Sequence, residues 1–357
     1  MKVAITYLFS VVIFLQSCIG KSDTTKIANF GSPIQPAIVT QKVFDDSDDP
    51  AIWIHPTDVE RSIILGTDKH TENGGLYVFT LDGKIDRTRS KTGMKRVNNV
   101  DVITGFLWGD TLIDIAAATE RDRNCIRIFR LPDMTPIDGN GIEVFEGEKE
   151  RSPMGIALYK RNTDNAVFVI VSRKHGPLKG YLAQYLLEYN GNNEVKARLV
   201  RMFGAFSGKK EIESIAVDHQ LGFIYYSDEQ FGIRKYYADP DKGNEELALF
   251  GKAGFKNDNE GISIYVLNDT SGYILVSDQS ANAFQVYSRT GTNSNPHAHH
   301  FITSVLVSAK ESDGSEVTNM SLPGFPGGMF VAMSTDGSFH IYRWKDIANA
   351  GQLQTKQ

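Results

Sequence analysis

One unit repeats six times along this chain, and that repeat restricts the fold more than any other feature. In each unit an apolar run ending in polar residues precedes a second, alternating run that ends in a turn. The pairs are SIILGTDK with GLYVFTLDGK, LIDIAAATER with CIRIFRLPD, AVFVIVSRK with LAQYLLEYNG, GFIYYSDE with GIRKYYADPD, GYILVSDQ with AFQVYSRTG, and MFVAMSTDG with SFHIYRWKD. Successive units start roughly 50 to 58 residues apart, the length of one four-stranded propeller blade. The runs are short, rich in Val, Ile, Tyr and Phe, and separated by Asp-Gly, Asn-Gly and Thr-Gly turns, so antiparallel strands are favoured over helices. A pair of β-sandwiches is the competing arrangement, but it calls for a linker near Leu182 to Phe203, and the sequence has none there. The pattern predicts an all-β, six-bladed β-propeller forming one domain over residues 41–350.

Such a fold gathers equivalent strand ends on one face. Lys69, Arg121, Lys174, Glu229, Gln279 and Asp336 end the first run of successive units. A second set opens or precedes other strands: Asp48, Asp49, Asn99, Asp101, Glu211, Glu213, Asp258, Glu260 and Glu316. Acids and bases are therefore expected around a single mouth. The stretch DDSDDP raises the same point, since Asp45, Asp46, Asp48 and Asp49 repel one another unless a cation lies between them. Asp45 and Asp46 are read as turn acids, Asp48 and Asp49 as ligands. Clustered carboxylates suit a hard cation such as calcium better than they suit zinc. No Ser, Cys or His nucleophile stands out.

The formal net charge of −5 offers no basic excess for nucleic acid or anionic membranes. At the N-terminus, Lys2, the apolar run Val3 to Leu15 and Leu15-Gln16-Ser17-Cys18 resemble a bacterial lipoprotein signal. Residues 1–18 are then the signal with Cys18 lipidated, and 19–40 a tether. An ordinary secretory signal cleaved nearby is the alternative. Either way the protein is exported, to the cell envelope if lipidated and otherwise to the periplasm or medium, and membrane contact is confined to the lipid. Cys125 then has no partner for an intramolecular disulfide.

DDPAIWIHP, GTDKHTENGGLYVFTLDGK, RVNNVDV, IESIAVD, YYSDEQFGIRKY and NDNEGISIY resemble β-propeller phytases, in order and at similar spacing, from about Asp45 to Ile347. The resemblance implies a monomeric, calcium-dependent phosphomonoesterase that binds phytate or its calcium complex and releases phosphate by attack of a water that several Ca²⁺ ions activate. By motif match, Glu229, Glu213, Asp49 and Glu260 are the catalytic acids. The metal set is Asp48, Asp49, Asp101, Glu213, Glu229, Asp258, Glu260 and Glu316, and Lys69, Arg121, Lys174 and Gln279 hold substrate. The chain departs from the family at Met154-Gly155, where a Tyr-Gly pair is usual, and at GSEVTNMS, where several aspartates are usual and Glu316 is the acid that remains. A calcium-binding lactonase or phosphotriesterase, or a non-enzymatic binding module, is the alternative, because a propeller does not fix function. The loop PHAHH from Pro296 is read as an exposed insertion rather than a metal site.

Overall fold

The computed structural model describes residues 32–356, which form six antiparallel sheets arranged as blades. Their first strands are Ser47–Trp53, Val97–Trp108, Pro153–Lys160, Ile215–Asp218, Asn259–Asn268 and Ser315–Thr318. Each of these touches the first strand of the next blade, and the sixth touches the first, so together they wall a central channel. The second strands are Ile63–Asp68, Thr111–Glu120, Val167–Arg173, Phe223–Asp228, Ser271–Asp278 and Met329–Ser334. These are the apolar runs with polar ends seen in the sequence. They are buried on both faces, which explains near-continuous hydrophobicity where a half-exposed strand would alternate.

Six apolar clusters hold the ring, one between each pair of neighbouring blades. The ring closes by an exchange of chain ends. Ile38–Val39 is the outer strand of the sixth blade, paired with Ser338–Arg343, and Ile34 bridges to Val307. The expected tether, residues 19–40, thus reaches into the propeller at its C-terminal end. At the other terminus the helix Trp344–Gly351 crosses the expected boundary at residue 350, with the Trp344 ring stacked 3.6 Å from that of Tyr265, and the chain after it stays ordered as the N–H groups of Gln354 and Lys356 donate to the hydroxyls of Tyr273 and Tyr265. Both segments are too short to read from local pattern: Ile38–Val39 is ordered by pairing with the last blade, and the helix by packing on Phe301–Leu306 and Ser338–Arg343. The expected signal sequence, residues 1–18 with Cys18, lies outside the described residues.

A hydroxyl repeats through the structure and fixes the strand ends. Two residues before the polar end of the second strand, Thr67, Thr119, Ser172, Ser227 and Ser277 each donate to a carbonyl of the following blade. The acceptors are Asn98, Met154, Ile212, Glu260 and Ser312, at 2.5–2.7 Å. Ser47 Oγ makes the closing contact, donating to Ser334 O at 2.9 Å. In three blades the same hydroxyl also accepts from the first strand of its own sheet, from the N–H of Asp49, Asn99 or Gly155. The first strands slip register there, between Ser47 and Pro50, Val97 and Val100, and Pro153 and Ile156. Such a bulge re-aims the side chains it carries.

The histidine loop proves less exposed than its composition suggests. His299 is buried against Phe250 and Tyr225. Its Nδ1 donates to Ser288 O at 2.8 Å, which leaves Nε2 to accept from Lys235 Nζ at 3.2 Å. Lys235 is itself only 1% exposed, with Nζ 3.8 Å from the Phe223 ring centre. Burial, opposed by Asp218, pushes this lysine down to about 8. The unfolded chain keeps its lysine proton up to 10.5, so above pH 8 the unfolded state binds more protons and stability rises with pH. The expected gain is on the order of 1 to 2 kcal/mol from about pH 8 to about pH 9.5. Urea melts of the wild type and Lys235→Met across that range test this: the variant should lack the rise, and parallel curves would contradict it.

Candidate functional site

The polar ends of the second strands are pinned within their own blades before they meet. The backbone N–H of Lys69, Arg121, Lys174, Glu229 and Gln279 donates to the carbonyl of Asp46, Arg96, Ser152, Glu211 and Asp258 respectively. These are loop residues that lead into the first strands. A pocket at this end of the channel is lined by Lys69, Arg121, Lys174, Gln279, Glu213 and Glu260, as the sequence leads one to expect. Met154, at the family's usual tyrosine position, lines it too. Gly155 beside it permits a close approach: a Cβ there would lie 1.8 Å from Glu213 O, so only glycine lets the Glu213 loop sit against the third blade.

Two acidic triads share one residue. Carboxylate oxygens of Glu211, Glu213 and Glu229 lie within 4.8 Å of one another, and so do those of Glu229, Asp258 and Glu260. All five residues are buried. Burial pushes the Glu229 carboxyl up to about 8, helped by Glu213, and burial with Asp48 nearby does the same to Glu213. Asp48 is pushed up to about 7 by burial against the pull of Lys69. Asn98 Nδ2 donates to both Asp48 and Glu213, at 3.2 and 3.0 Å, and ties the first blade's acid to the fourth's.

Asp49, Asp101 and Glu316 are elsewhere. They line the channel, not the mouth pocket. The bulge at Asp48-Asp49 is the reason, since consecutive residues there serve different spaces: Asp48 meets Lys69, while Asp49 accepts from Val100 N at 3.1 Å. Gly314 makes room for it, since a Cβ there would come within 2.3 Å of Asp49 Oδ1. Burial holds Asp101 at about 7 and Glu316 at about 8, with Asp101 adding to the effect on Glu316. The eight acids expected to form one metal set therefore divide between mouth and channel. Asn99 lines the channel with them.

Other expectations shift in detail. Asp336 pairs with Lys42 at 3.6 Å, receives Ser338, and is not in the pocket wall. Asp46, read as a turn acid, does line the pocket. Four pocket residues carried no sequence expectation: Arg96, Asn98, Lys210 and Asp313. Asp313 pairs with Lys69 Nζ at 2.7 Å and receives Gln279 Nε2 at 2.5 Å. Its position one residue before GSEVTNMS was the available signal. Lys210 Nζ stands 2.6, 2.9 and 3.3 Å from oxygens of Glu229, Asp258 and Glu260. Lys174 pairs with Glu211. Arg121 enters no ion pair among the described residues, although it lines the same pocket.

With this geometry in place, comparison with known proteins gives a consistent answer. The family model described as Phytase matches residues 11–355. The chain belongs to the phytase family. A 3-phytase of Bacillus subtilis (strain 168) is 30% identical over 331 residues, covering 85% of this chain and 81% of that protein. Among solved structures, the Dos1 propeller aligns with 84% of this chain and 68% of its own at 12% identity and a TM-score of 0.45. On its six sheets this phytase carries its charged residues at strand ends, and its acidic clusters could hold metal. The fit is chemical as well as spatial. Glu229 Oε1 and Glu260 Oε2 are buried with neither a hydrogen-bond donor nor an ammonium partner. Buried anionic oxygens left in that state are costly, and an all-oxygen set suits a hard divalent ion. No helix among the described residues is long and apolar enough to cross a membrane.

Proposed function

We propose that this enzyme is a calcium-dependent phytase that releases phosphate from myo-inositol hexakisphosphate, free or as its calcium complex, by direct attack of water. The observation that carries this reading is that Glu211, Glu213 and Glu260, members of two carboxylate triads joined at Glu229, line one pocket with Arg121, which has no carboxylate partner among the described residues. Glu211, Glu213, Glu229, Asp258 and Glu260 would hold calcium at the mouth, with Asp48 beside them, and Asp49, Asp101 and Glu316 would hold it in the channel. When bound, calcium supplies positive charge to a phosphate oxygen and makes a neighbouring water more acidic.

The chain's own groups do the rest. Arg121 presents a planar fork of N–H donors to two phosphate oxygens, while Lys69 and Lys174 supply point charges and Gln279 a neutral donor. Glu260 Oε2, buried without a donor, accepts a proton from the attacking water. The new bond joins the water oxygen to phosphorus, the inositol C–O–P bridge breaks at P–O, and the leaving inositol oxygen takes up a proton. Export and lipidation at Cys18 complete the proposal and rest on Leu15 to Cys18.

The test compares phytate, a lactone and a phosphotriester as substrates, each with and without calcium. Phosphate release from phytate that needs calcium, with little turnover of the other two, is the expected result. Preference for the lactone or the triester would move the assignment to those hydrolases, and no turnover of any would favour a binding module.

A further inference from the structure

The mouth already contains a cation at one of its acidic triads, and it belongs to the protein. Lys210 Nζ lies 2.6 Å from Glu229 Oε2, 2.9 Å from Asp258 Oδ2 and 3.3 Å from Glu260 Oε1. Lys69 bridges two acids and Lys174 meets one, so three carboxylates around one ammonium is a different arrangement. The same three residues bring their oxygens within 4.8 Å of one another, close enough to share a metal ion. Calcium sits about 2.3 to 2.6 Å from its oxygen ligands, so it would occupy nearly the space Nζ fills. Two cations at such separation in a largely buried site repel strongly. They cannot both occupy it.

Several features make the lysine displaceable. Its side chain is 35% exposed while the three acids are buried, and it enters from the loop ahead of Ile215–Asp218 on a flexible four-carbon stem. It also lines the pocket that holds Lys69, Arg121 and Lys174, so a rotation of the stem carries the ammonium from the acids toward the other cations. Burial would weaken its charge, yet Glu260 and Glu229 hold the ammonium firmly protonated.

We propose that Lys210 is a tethered counter-ion: it neutralises the Glu229, Asp258 and Glu260 triad until a divalent cation displaces it, and the freed ammonium joins the phosphate-binding cations. This rests on the metal reading above and adds a regulatory element to it. Lys210 acts through the acids, so it is a positioning residue. It sets how tightly the triad takes metal, and it makes metal entry the event that completes the anion pocket.

Calcium titration by calorimetry and melting temperatures in chelator separate the possibilities, using wild type, Lys210→Gln, Lys210→Arg, Glu260→Gln and the Lys210→Gln/Glu260→Gln double variant. Removing the competing charge should tighten one calcium site in Lys210→Gln on the order of tenfold. Without metal, the same variant should melt lower than wild type because three buried acids lose their partner, and calcium should restore it. Lys210→Arg keeps the charge and should stay near wild type in both readouts. The gain in affinity should vanish when Glu260→Gln is added. Should Lys210→Gln fold only with calcium present, that too supports the counter-ion role. Unchanged calcium affinity and unchanged metal-free melting in Lys210→Gln would overturn the proposal while leaving the metal site standing. If wild type and Glu260→Gln take up calcium identically, or neither takes it up, the metal reading itself fails and the counter-ion role falls with it.

Discussion

Excess chelator should abolish phosphate release from phytate and lower the melting temperature in the same titration, and added calcium should restore both. The two effects share a cause. Burial raises the proton affinity of Glu213, Glu229 and Glu260, Glu213 adds to the effect on Glu229, and both add to that on Glu260, so the folded state carries a repulsion that a divalent ion relieves. An ion that binds only the folded chain at a hundred times its dissociation constant stabilises it by about 2.7 kcal/mol per site. For a domain of this size that is several degrees of melting temperature. The catalytic effect is larger, since losing several kcal/mol of charge stabilisation at the phosphate slows turnover by at least about a hundredfold. The channel acids add a distinction. Asp49→Asn should lower the calcium-dependent part of the melting temperature more than it lowers turnover at saturating calcium, because Asp49 faces the channel. Full activity and unchanged melting in chelator would remove the metal from both roles.

Arg121→Ala should reduce phosphate release about ten- to a hundredfold, the cost of a charge-assisted, bidentate contact worth about 1.5 to 3 kcal/mol. Arg121 is a cleaner probe than Lys69, whose ammonium pairs with Asp48 at 2.6 Å and Asp313 at 2.7 Å. Lys69→Ala would strand a buried acid as well as remove a phosphate contact, so its effect would mix stability with binding. Arg121 lines the pocket and has no carboxylate partner among the described residues, so its removal leaves no acid uncompensated. Lys196 serves as control: it is 59% exposed, pairs with Glu194 and does not line the pocket. Kinetics at saturating calcium, with melting temperatures to confirm folding, decide the matter. Normal turnover in Arg121→Ala would sink the phosphate clamp and favour a hydrolase for a less charged substrate.

The positions of most candidate residues were legible because a propeller converts sequence spacing into spatial placement. Thr67 and Lys69, Thr119 and Arg121, and Ser172 and Lys174 show why: a hydroxyl two residues before a cation locks each strand end to the next blade. The cations therefore arrive at one mouth whatever the loops between them contain. Asp336 shows the limit of that argument. It holds the equivalent place in the sixth unit, yet it turns to Lys42 and Ser338, because a loop residue follows its nearest partners.

The sequence by itself determined the six-unit repeat, the all-β class and the sets of acids and bases, since these depend on local alternation and on residues at fixed offsets within a unit. The tertiary structure alone decided which acids share a cation. Asp48 and Asp49 are neighbours in the chain but serve different spaces, because a bulge held by Thr67 separates them. Lys69 meets Asp313 across 244 residues, and Lys210 meets Asp258 across 48. Ile38–Val39 becomes a strand only because the last blade lacks one. Each of these outcomes depends on closing a ring from distant parts of the chain. No local pattern records that closure, since an ammonium is drawn to whichever carboxylates the closed ring brings near it.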